Sequence, residues 1–195
     1  MKIGDLGELV VLTLRNPDRA VRLLREFGLS TSERWMTVVL AASLSSLLAG
    51  IARQMFPPAT NDALSAILAD PMTLAALQFG AMVLSAAAVT VIGRAFGGQG
   101  NFADALVLVA WVELILVGLQ AVQLVLMVLV PPSAMIMSLV AFALSIYLTI
   151  SLTKALHGFT STPKVALGFI GGVFLVATVL SILAAALGIL PEVSP

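Results

Sequence analysis

The chain has no cysteine, one histidine (His157) and one tyrosine, and only 10% of its residues are charged. Without thiols there can be no disulfide, thiolate metal site or cysteine nucleophile. A lone histidine also rules out a multi-histidine metal centre. Ten basic and ten acidic residues leave a formal net charge of zero, so the electrostatic footprint of a nucleic-acid binder is missing. Soluble domains carry about 25% charged residues. The scarcity of charge here, with 60% hydrophobic residues and a mean hydropathy of +1.11, is that of a polytopic membrane protein. The first residues mix charges of both signs and lack a clean apolar stretch, so insertion is expected to be directed by the first span and not by a leader.

What the chain does contain is long apolar runs, since roughly 18 or more mostly apolar residues mark a spanning helix. The expected fold is all-α, a bundle of five transmembrane helices with an N-terminal cytoplasmic amphipathic helix. The spans fall at about 35–52, 72–93, 103–130, 133–156 and 163–190, giving a cytoplasmic segment 1–34, a membrane domain 35–190 and an external tail 191–195. Leu6 to Leu14 is a short apolar run that lies against either membrane or bundle. Asn16-Pro17 reads as a helix start. After it Ala20, Val21, Leu23, Leu24 and Phe27 share a face opposite Arg19, Arg22, Arg25 and Glu26, and Gly28 is the expected C-terminal cap. Such a helix lies in the interface plane or packs on the bundle's own cytoplasmic end, and the sequence leaves both open.

Start and stop signals punctuate the rest. Ser30 and Glu33 have capping-box spacing, and Trp35 stands at interfacial depth. Pro57-Pro58 blocks the helix, Asn61 caps a short turn bearing Leu64, Ile67 and Leu68, and Asp70-Pro71 opens the second span. Asn101 caps the third span with Asp104 in its first turn, and Pro131-Pro132-Ser133 forces an antiparallel reversal into the fourth. Ser161-Thr162-Pro163 starts the fifth. With the N-terminus inside, Lys2, Arg15, Arg19, Arg22, Arg25, Arg34, Arg94, Lys154 and Lys164 are cytoplasmic and only Arg53 is outside. That asymmetry obeys the positive-inside rule.

Glu113, about ten residues into the third span, is the costliest residue to insert, by about 2.5–3.5 kcal/mol if charged at the centre. Gln120, two turns on, is its polar companion on the same helix face. The pair is either a proton- or cation-binding site or packing glue hydrogen-bonded to hydroxyls of other spans. Glue is favoured, because a carrier would use several buried ionisable groups. Ser138, Ser145 and Thr149 form a weakly polar stripe whose hydroxyls are expected to bond back to their own helix. Gly168 and Gly172 are a small-residue pair for close helix packing within the chain. Gly97-Gly98-Gln99-Gly100-Asn101 lacks the lysine and hydroxyl ending of a phosphate-binding loop, so its glycines are read as a turn needing positive φ. Lys154 and His157 suit the negative end of the fourth helix, and no nucleophile or acid is identifiable near His157.

The elbow Arg94-Ala95-Phe96-Gly97-Gly98-Gln99-Gly100-Asn101-Phe102 and the helix running on through Trp111 resemble the Yip-domain family, integral membrane proteins named for Ypt/Rab interaction in eukaryotes. Lys154-Ala155-Leu156-His157-Gly158-Phe159 looks like the bacterial branch, and the resemblance covers about residues 35–190. It implies a five-span protein of a bacterial inner membrane that acts through interactions, with no catalytic residues and no cofactor. The acidic and aromatic motif of the eukaryotic relatives before the first span is not evident here. The expected function is therefore a non-enzymatic scaffold or regulator. Its partners are membrane lipids and other membrane-associated proteins, with a homo-oligomer open and no nucleic acid. The expected contact surface is the N-terminal helix together with Gly97, Gly98, Gly100, Asn101, Phe102 and His157. The alternative is a small permease or lipid-handling protein using Glu113 and Gln120. An intramembrane enzyme lacks a metal cluster, a Ser/His pair or paired aspartates.

Overall fold

A computed structural model describes residues 3–57, 70–130 and 132–186. Among them run seven helices: α1 (Ile3–Arg15), α2 (Pro17–Glu26), α3 (Thr31–Met55), α4 (Pro71–Ala95), α5 (Phe102–Leu129), α6 (Ser133–His157) and α7 (Thr162–Ala186). The Asn61 cap with Leu64, Ile67 and Leu68, Pro58, Pro131 and the external tail 191–195 lie outside the described residues.

Side chains within three residues of the start set the N-terminal ends of α2, α3, α4 and α5. Asn16 accepts the N–H of Arg19 ahead of Pro17. Ser30 and Glu33 form a reciprocal capping box. Asp70 accepts both the N–H and the hydroxyl of Thr73, which hold its carboxyl below the usual carboxylate range. Asn101 accepts the N–H of Asp104 at 2.8 Å. Gly28 (φ +58°) follows α2, and Gly158 (φ +71°) ends α6, each in the left-handed region that glycine enters without strain. The N–H of Ser133 closes the reversal between α5 and α6 on the carbonyl of Val130 at 2.9 Å.

Helices α3 to α6, each 25 to 28 residues long, have the length and apolar character to cross a membrane. Central among them is α5, packed against α3, α4 and α6, with Ala105, Leu106 and Ala110 buried; α7 packs against α4 and α6. Large apolar side chains such as Met36, Leu40, Leu139 and Phe142 are exposed on the outside, as lipid-facing positions are. The apolar residues Ala20, Val21 and Leu24 of α2 are covered by α6 and α5. Its C-terminal Arg25 reaches the carbonyl of Leu156, while Leu14 just before it accepts the hydroxyl of Tyr147. The two bonds hold α2 and the end of α1 against α6. Thr13 of α1 is fully buried, donates to Leu9 and accepts the indole N–H of Trp111 at 3.0 Å.

Candidate functional site

Two polar constellations stand out, one at the elbow end of the bundle and one inside it. At the elbow end Asp104 receives Arg25 and Arg34, each at 2.9 Å, and the Asn101 amide. Arg34 also donates to Leu29, and Arg94 to Gly100. One carboxylate therefore ties α2, the start of α3 and the start of α5 together. Beside it His157 is 3% exposed. Its Nδ1 accepts the N–H of Gly100 at 3.1 Å, so the ring proton is on Nε2, which faces the Val89 carbonyl at 3.1 Å. The ring stacks on Phe159 at 5.5 Å between centroids. A Cβ at Gly93 or Gly98 would collide with the imidazole, and one at Gly100 would lie 2.7 Å from it. Only Gly97 of the elbow glycines has positive φ (+84°); Gly98 and Gly100 are needed for close approach.

Inside the bundle α4, α5, α6 and α7 enclose a partly open cavity of about 750 Å³. Glu113 lines it, half-buried, with Gln78 and Ser85 of α4, Ser145 and Thr149 of α6, and Lys164 of α7; most of the remaining wall is apolar. Ser145 donates to the carbonyl of Phe142 and Thr149 to that of Ser145, both at 2.8 Å, so these hydroxyl protons are committed to their own helix. No other described residue makes a hydrogen bond or ion pair with Glu113. Gln120 is half-buried and outside the lining. The cavity thus brings Glu113 to polar groups of three other helices and does not include its neighbour along α5.

The remaining candidates are placed as follows. Gly97 and Asn101 are exposed, Gly98 and Phe102 half-buried, and Gly100 and His157 buried. Gly172 meets α4 of the same chain, where a Cβ would lie 2.8 Å from Ile92, and Gly168 faces Phe96 and Ile92 at van der Waals distance. Sequence reasoning missed the Asp104 clamp, the Thr13–Trp111 bond and the glycine cradle of His157. Each joins residues at least 57 positions apart, and nothing in the local pattern announces such a pair.

Four apolar helices of spanning length, packed around a shared interior, define an α-helical integral membrane protein. Within that class the chain belongs to the Yip1 domain family, whose model matches residues 11–188. No curated protein and no solved structure matches it.

Proposed function

We propose that the protein is a non-enzymatic scaffold or regulator of membrane-associated partners. In this reading five spans, α7 included, hold it in a bacterial inner membrane with the N-terminus in the cytoplasm. The Asp104 clamp carries it: α2 is fixed in place, so its exposed Arg19 and Arg22 form a rigid basic surface beside the elbow. Membership of a family not known for enzymes fits this reading. The test is purification from native membranes in mild detergent, with co-purifying proteins identified by mass spectrometry. A stoichiometric protein partner is expected with the wild type and is lost in Arg19→Glu/Arg22→Glu, whose melting temperature is unchanged. A partner retained by that variant, or no partner at all, rejects the reading.

A second reading, a small permease or lipid-handling protein, is favoured by one observation: Glu113 faces a cavity large enough for a ligand. The Glu113 and Gln120 pairing in that reading is replaced by Glu113 with the cavity's own polar groups. Glu113→Gln is expected to alter a flux or a bound lipid without loss of folded protein.

A further inference from the structure

Building on the cavity reading, we infer that the space between α4, α5, α6 and α7 binds a lipophilic cation, with Glu113 as its counter-ion. Three observations converge on that chemistry. A volume of about 750 Å³ lies within the roughly 300–1,000 Å³ of small-molecule sites. The wall is mostly apolar, with residues such as Met82, Leu116 and Phe169 offering hydrocarbon contact to a hydrocarbon-rich ligand. The single acidic group among the described lining residues has no partner among the described residues. The hydroxyls of Ser145 and Thr149 give their protons to carbonyls of α6.

Charge decides between ligand classes. Lys164 is the only other charged group among the described lining residues; α4 contributes an amide and a hydroxyl, and α6 hydroxyls. Lys164 lies two residues into α7 and Glu113 eleven into α5, and both helices start at the same end. Their backbones are thus offset by about 13 Å along the bundle, and the two side chains form no ion pair. An anionic amphiphile would bring a second negative charge beside Glu113, and a neutral one would leave it unpaired. A cation with an apolar body removes the unpaired charge and fills the wall at once.

The test uses the full chain, purified in mild detergent, and two probes of the same shape and opposite charge, tetraphenylphosphonium and tetraphenylborate, in equilibrium dialysis. Phosphonium is expected to bind one per chain, and at least tenfold more tightly than the borate. Glu113→Gln is expected to weaken it tenfold or more, and Glu113→Asp to restore part of the loss. Stronger binding of the borate would overturn the cation assignment while leaving a ligand cavity. Binding of neither probe would overturn both that assignment and the cavity reading. Equal phosphonium binding by wild type and Glu113→Gln would remove Glu113 from the site. Should Glu113→Gln fail to fold, the phosphonium-to-borate ratio of the wild type decides, a ratio at or below one overturning the assignment.

Discussion

His157 sits where side chains at Gly93, Gly98 and Gly100 would otherwise be, and backbone groups of α4 and the elbow engage both of its ring nitrogens. The imidazole is a wedge that fixes the end of α6 against the elbow, and burial leaves it unavailable to a partner. Adding a methyl group to a filled site costs about 1–3 kcal/mol. Gly98→Ala should therefore lower stability by about that amount in detergent denaturation. In the Gly98→Ala/His157→Ala double variant most of this extra penalty should disappear, because the atoms that collide are gone. Strictly additive losses would show that the two residues do not share the space. The sequence showed a glycine-rich turn and a lone histidine, and Gly97 has the positive φ read from it. That the other glycines make room for that histidine could not be read, since the ring arrives from 57 residues away.

At the scale of the helix, Asp104 has two roles. It occupies the first turn of α5, where a negative charge suits the helix dipole, and it receives Arg25 from α2 and Arg34 from α3. Hydrogen bonds to charged groups are worth about 1.5–3 kcal/mol each when only slightly exposed, less towards the surface. Asp104→Ala is thus expected to cost roughly 1–3 kcal/mol. Amide exchange should quicken first in α2 and the connection into α3, ahead of α4 and α5. Uniform acceleration across the bundle would mean that the clamp does not hold α2 specifically. Helix starts were legible in the sequence because each cap acts over three residues: Asn16 on Arg19, Ser30 on Glu33, Asp70 on Thr73, Asn101 on Asp104. The packing of α2 against α6 was not legible, because an apolar face states that it will be covered and not by what.

Across the whole molecule, the outward belt of apolar side chains and the inward cavity assign lipid and interior to opposite faces of the same helices. The nine-to-one distribution of basic residues expects reporters fused at the N-terminus to report cytoplasm and those at the C-terminus the other side. Termini on the same side would reduce the count of spans to an even number. Composition, run length and capping residues by themselves determined the membrane class and the starts of the four capped helices, because hydropathy and caps act along a few turns of chain. Only the tertiary structure decided that Glu113 lines one cavity with Gln78, Ser85 and Thr149 while Gln120 lies outside it, that Asp104 gathers two arginines, and that α1 hangs on Trp111. A helix apolar all round has no single face that must turn inward, so its rotation, and with it the company of each rare polar residue, is set by packing against its neighbours.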